Sequence, residues 1–158
     1  MDALTNYLQQ LAIAVLVGKV TLLSFVVAPV LAKTLDRESF AAVVRALFPA
    51  YYLLGMGAAV LGLLSLAGIG LLHGINWPLV LTGLLWLLIF AAESYCRSPL
   101  TPLSNEMRDR LKEQERQGTV DPELRRTWDR LHRWSVWLNS TVLLAGLLLL
   151  GLVGRSFS

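Results

Sequence analysis

One cysteine, Cys96, and two histidines, His73 and His132, are the whole supply of thiol and imidazole in 158 residues. A lone cysteine forms no intrachain disulfide, and no Cys or His pair has zinc-site spacing. Charge is scarce as well. Asp, Glu, Lys and Arg make up 16% of the chain, against about 25% in soluble domains. A phosphate-cradling glycine loop and a nucleophile elbow are both absent, so the reading leans against an enzyme. The leading residues carry Asp2 but no Lys or Arg, and Lys19 interrupts the first apolar run. That run therefore reads as a retained helix rather than a secretory signal. The net charge of +3 does not imply nucleic acid, because the basic residues lie among acids in membrane-flanking segments.

What the chain has is apolar length. Hydrophobic residues make up 55%, and the mean hydropathy is +0.58. A hydrocarbon core about 30 Å thick takes about 20 apolar residues per helical crossing. Four runs meet that length: residues 8–31, 50–72, 77–95 and 134–153. They are continuous rather than alternating, which disfavours a β-barrel. The expected fold is an all-α integral membrane protein, an up-down bundle of four transmembrane helices in contact with the lipid bilayer. Residues 97–133 form the one long hydrophilic block, with nine of the fourteen Lys and Arg and seven of the eleven Asp and Glu. Lys33, Arg37 and Arg45 lie in the first loop, on the same side as that block, and only Arg155 lies on the other. The positive-inside rule then places loops 32–49 and 97–133 in the cytoplasm and both termini outside, as expected for a bacterial inner membrane.

Along the chain, Ala14, Gly18, Thr21 and Ala28 share one face of the first helix and read as a packing seam. Lys19 points roughly opposite that seam, about 21 Å of helix rise from Lys33 and so near mid-bilayer. A lysine there costs at least ~2.5 kcal/mol on insertion scales unless it finds a partner or water. One reading has it snorkel or sit neutral; the other has it face a carbonyl, a carboxylate or a second protein. Asp36 can cap a short interfacial helix over residues 37–47, with Pro49 marking the turn into the second span. In that span Gly55, Ala58, Ala59, Gly62 and Ser65 form a stripe of small residues, with Tyr51 at one end and His73 at the other. Glu93, the one carboxylate inside an apolar run, shares a face with Thr82 and Trp86. It pairs locally with Arg97 or faces the bundle interior as a proton or cation site. Thr101 before Pro102 and Asp121 before Pro122 are helix-start signals, so residues 102–133 read as a helical hairpin. The pattern Leu124, Trp128, Leu131, Ser135, Leu138 continues without a stop into the fourth span, giving one helix from residue 122 to about 153. His132, Ser135, Asn139 and Gly146 share a stripe on it, while Trp134 and Trp137 point the other way as belt anchors.

The stretch from Ser24 to Leu31, the stretch from Leu47 to Tyr52 with Gly55 just after it, and Leu131, His132, Ser135 and Asn139 together resemble a bacterial membrane domain of unknown function. That domain is itself similar to the animal transmembrane protein 205-like proteins. It is also distantly like four-helix membrane domains of copper-resistance and haem-handling proteins, a resemblance that implies haem, copper or small-ligand handling. Lys19 departs from the pattern, standing where an apolar or small residue is expected.

The residues themselves bound those classes. His73 and His132 fall at opposite membrane edges, so one subunit cannot place both on one haem iron. Copper would want clustered Cys, Met and His. Three expectations follow. The first is a non-catalytic binding protein with a polar site for a small ligand, haem or a metal, built from Tyr51, Glu93, His132, Ser135 and Asn139 at the cytoplasmic membrane edge. The second is an accessory subunit of a homo-oligomer or larger complex, reached through Lys19. The third is a dimeric transporter of a small cation or drug, using Glu93.

Overall fold

The computed structural model describes residues 2–155, and the side chains of residues 3–153. Arg155, the one cation assigned to the outer side, has its side chain outside the described residues. Among the described residues every regular element is helical: α1 (Asp2–Leu22), a π-helical turn (Leu23–Val27), α2 (Ala28–Thr34), α3 (Arg37–His73), α4 (Trp77–Tyr95), a second π turn (Cys96–Leu100), α5 (Thr101–Arg116) and α6 (Pro122–Arg155). Four helical stretches are long and apolar enough to cross a membrane.

The boundaries follow from caps. Asp36 is extended and its side chain accepts hydrogen bonds from the amides of Glu38 (2.9 Å) and Ser39 (3.0 Å), starting α3. Gly74 ends α3 with φ +78°, a conformation that disfavours any side chain. Asn76 then caps α4 by accepting from Leu79 N at 3.0 Å. Between α5 and α6, Gly118 turns with φ +74°, and Asp121 accepts from Glu123 N at 2.9 Å.

Two boundaries differ from expectation, both at proline. Residues 37–47 are not a separate interfacial helix: α3 runs through Pro49, so the segment is the first three turns of the spanning helix. Proline removes one intrahelical bond, and the 37-residue helix tolerates that loss. Thr101 is not an N-cap. The chain stays helical from α4 into α5 through the second π turn, which contains Pro99, and the Thr101 hydroxyl donates to the Cys96 carbonyl at 2.7 Å. The wider turn takes up the proline ring, and the Cys96 carbonyl accepts from the Thr101 amide as well as from its hydroxyl. The first π turn precedes Pro29 in the same way.

The four long helices pack as a square. α1 lies against α3 and α6, and α4 lies against the same two; neither α1 with α4 nor α3 with α6 brings Cα atoms within 8 Å. The core uses a different face of α1 from the expected seam. Gln9, Ala12, Ile13, Leu16, Lys19 and Val20 are buried, whereas Ala14, Gly18 and Thr21 are exposed. A β-carbon at Gly18 would meet nothing within 4 Å. The small residues that permit close approach belong to the partners of α1. Ala58, Ala59, Gly62 and Ser65 are buried on α3, and Gly146 on α6 lies under Leu16 and Val17. Large side chains of one helix fill space left by small ones on the next, which is how helices associate without a hydrophobic drive in lipid.

Candidate functional site

The polar residues of the spans meet at the centre of the square. Lys19 on α1 and Glu93 on α4 form an ion pair, Nζ to Oε1 2.6 Å, with residue exposures of 8% and 1%. Lys19 also donates to the Tyr51 carbonyl at 3.3 Å, and its Nζ sits 3.8 Å from the centroid of the Tyr51 ring. Tyr51 belongs to α3, so it spans the space between the charges and α6. Its hydroxyl donates to Asn139 Oδ1 at 3.2 Å, and Asn139 Nδ2 donates to the Ser135 carbonyl (2.9 Å) and the Tyr52 hydroxyl (3.4 Å). One diagonal of the square is thus closed by an ion pair and the other by a hydrogen bond, with the Tyr51 ring between them. Phe48 packs on both tyrosines, at ring separations of 6.2 and 5.5 Å.

Gly55 makes the crossing fit, because a β-carbon there would collide with Glu93 Cδ and Lys19 Nζ. One layer further along, Gly62 accommodates the fully buried Trp86 ring. With its amide nitrogen turned toward α3, Gln9 donates to the Gly62 carbonyl (2.9 Å) and accepts from Trp86 Nε1 (2.8 Å). Ser65 donates to the Thr5 carbonyl at 2.5 Å. Each polar group buried along α1 meets a polar group of α3 or α4, as lipid surroundings demand.

Beside Tyr51 and Tyr52 lies a cavity of about 510 Å³. Its apolar wall includes Val20, Phe25, Leu31, Phe40, Val44 and Leu143. Its polar groups are hydroxyls (Ser24, Tyr51, Tyr52, Thr101, Ser104, Ser135, Ser140), the amides of Asn105 and Asn139, the His132 imidazole, and the guanidiniums of Arg45 and Arg108. No carboxylate or thiol lines it. Phe25 and Val136 line it while remaining 67% and 52% exposed, so it opens sideways between the first π turn and α6. No Cα of that turn or of α2 comes within 8 Å of α6. α1 and α6 meet at Leu16 and Gly146, and toward Phe25 they have parted.

The expected constellation is therefore divided. Tyr51, Ser135, Asn139 and His132 line one cavity; His132 stacks on Trp128 at 5.6 Å and is exposed. Glu93 lies behind Tyr51 and does not line the cavity. It turns inward to Lys19, and Arg97 is exposed, so the local Glu93–Arg97 pair is replaced by one reaching across 74 residues. Lys19 faces its own bundle, which corrects the reading of it as an external contact. His73 is exposed at the far end of α3. Among the described residues no group of three His, Cys, Asp or Glu side chains could hold a metal ion.

Residues 11–113, about two thirds of the chain, match the family described as Domain of unknown function (DUF4149). The chain belongs to the DUF4149 family. The DUF4149 match takes in Lys19, Tyr51, Gly55, Glu93 and Arg108, and ends before α6 with His132, Ser135 and Asn139. No curated protein and no solved structure matches the chain.

Reading by sequence missed Tyr52, Gln9 and Arg108, and left the partner of Lys19 open between a carbonyl, a carboxylate and a second protein. A signal for that partner was present. Lys19 and Glu93 are opposite charges inside otherwise apolar runs, and the cheapest state for both is each other. Spacing of small residues pointed to the wrong face of α1, because small residues permit close approach without requiring it.

Proposed function

We propose that this DUF4149 protein is a non-catalytic, multi-pass protein of the bacterial inner membrane that binds a small amphipathic molecule in the cavity beside Tyr51. The observation that carries the reading is the cavity's two-sided lining: an apolar wall open toward the lipid side, and hydroxyls and amides at Tyr51, Tyr52, Ser135 and Asn139 opposite. Ligand sites are mostly apolar with a few converging polar groups that orient the ligand. The donor set favours an organic ligand over copper or haem iron, since His132 is its sole imidazole and it contains no thiolate or carboxylate.

The accessory-subunit reading rested on an outward Lys19, and the transporter reading on a Glu93 within reach of cargo. With both side chains committed to each other behind Tyr51, neither has a specific observation in its favour. Native mass spectrometry in mild detergent, with dodecyl amphiphiles added, should show a stoichiometric adduct. Ala41→Trp fills the cavity from α3 and should remove the adduct while leaving the melting temperature within a few degrees. An adduct of equal abundance on parent and variant would place the ligand elsewhere and end this reading.

A further inference from the structure

The same cavity carries a charge asymmetry that specifies its ligand further; this inference rests on the amphiphile reading above. The polar end of the cavity continues into a second cavity of about 710 Å³, and the two share Ala41, Arg45, Arg108 and Trp128. Five cationic side chains line the second cavity against three carboxylates. The carboxylates are all engaged. Glu38 holds Lys112, Asp109 holds Arg45 through two hydrogen bonds of 2.6 and 3.2 Å, and Glu115 lies 3.9 Å from Arg37 and 3.6 Å from Arg125. Arg108 is left over. It is half-buried, it faces both cavities, and among the described residues its side chain makes no hydrogen bond or ion pair. A guanidinium carries five donors in a planar fork suited to carboxylate or phosphate oxygens, and partial burial without such a partner is costly. Around the same end stand further donors for an oxyanion, the Ser104 hydroxyl, the Asn105 amide and the Thr101 hydroxyl, and Phe25, Leu31, Phe40 and Val44 supply the apolar wall beside them.

We infer that the ligand is a single-chain amphiphile with an oxyanion head, a carboxylate or a phosphate monoester, whose head is held by Arg108 and whose chain lies along the Phe25–Phe40 wall toward the lateral opening. Arg108 is then the residue that discriminates by charge, and Tyr51, Tyr52 and Asn139 form the floor.

The test uses the full chain in lipid nanodiscs, tritium-labelled dodecanoate, and empty nanodiscs as the background. Saturable binding of dodecanoate is expected. Dodecyl phosphate should compete, dodecanol should compete at least about tenfold more weakly, and inorganic phosphate should not compete. Arg108→Gln should raise the dodecanoate Kd about tenfold or more, as losing hydrogen bonds to a charged group predicts, and leave dodecanol unaffected. Arg108→Lys should recover part of the loss, and both variants should melt close to the parent. If dodecanol binds as well as dodecanoate and Arg108→Gln changes neither, the oxyanion head is wrong while the amphiphile reading stands. Inorganic phosphate competing as well as dodecyl phosphate would keep the anion site and overturn the amphiphile. No saturable binding of either dodecyl compound overturns both.

Discussion

Lys19 and Glu93 show what one residue pair decides. Each alone would be an uncompensated charge in a spanning segment; together they are a 2.6 Å ion pair capped by the Tyr51 ring and carbonyl. Removing one partner of a buried pair costs about 3–5 kcal/mol, whereas replacing both with well-packed apolar residues is often neutral or stabilising. Lys19→Met and Glu93→Leu should each lower the melting temperature sharply, and the double variant should recover most of the loss. Singles that melt with the parent would show that the pair contributes nothing to stability. Gly55→Ala should be destabilising by about 1–3 kcal/mol for overpacking, because the added methyl wedges into the crossing. Its effect should shrink in the Lys19→Met, Glu93→Leu background, where the ionic geometry no longer has to be kept. A double-mutant cycle on thermal melts measures that coupling.

At the scale of the element, the helices are shaped by how their irregularities are satisfied. In the second π turn the Cys96 carbonyl accepts from both the backbone amide and the hydroxyl of Thr101, so the near-isosteric Thr101→Val removes one of two hydrogen bonds and should cost about 0.5–1.5 kcal/mol. Thermal melting of the variant measures the cost. The α3 start gives a pH prediction. The Ser39 hydroxyl donates to Asp36 Oδ2 at 2.7 Å, and with the Ser39 and Glu38 amides it holds the Asp36 carboxyl below the ordinary carboxylate range. A depressed folded value means that the cap's contribution is complete above the unfolded value and is lost as pH falls through the lower folded one. The Glu38 and Ser39 amide resonances should therefore stay constant through neutral pH and shift only below the usual Asp range. A midpoint at or above the ordinary Asp value would contradict the cap. Pro49 and Thr101 were legible as helix punctuation, yet each lies within a continuous helical path. Local propensity competes with tertiary packing there, and the packing of α3 and α4 against their neighbours prevails.

For the whole molecule, the charge distribution predicts which face meets the cytoplasm. Twelve Lys and Arg lie in residues 32–49 and 97–133, and the positive-inside rule predicts those segments inside. The sole cysteine is buried, so single introduced thiols report cleanly. Thr119→Cys, at the tip of the α5–α6 hairpin, should react with an impermeant maleimide in inverted vesicles only. Ile75→Cys, 81% exposed between α3 and α4, should react from the opposite side only. Reversed labelling would invert the topology and put the Arg108 end of the cavity outside the cell.

The division between sequence and tertiary structure has a physical basis. Apolar run length determined the number of candidate spans, because one helical crossing sets a minimum count of apolar residues. The unbroken stripe from Leu124 to Leu138 likewise determined that α6 is one helix from Pro122, since helical periodicity is a property of the chain itself. The small-residue stripe of α3 and the Thr82–Trp86–Glu93 face of α4 were legible as the inward faces, whereas the inward face of α1 was decided only by packing. Gly18 faces out and Leu16 in because α3 and α6 supply the small residues at that contact. The same holds for the cavity, for Arg108 as its surplus cation, and for the meeting of Lys19 with Glu93 under Tyr51. These depend on which helices are diagonal in the square and where α1 parts from α6, and no single segment carries that information.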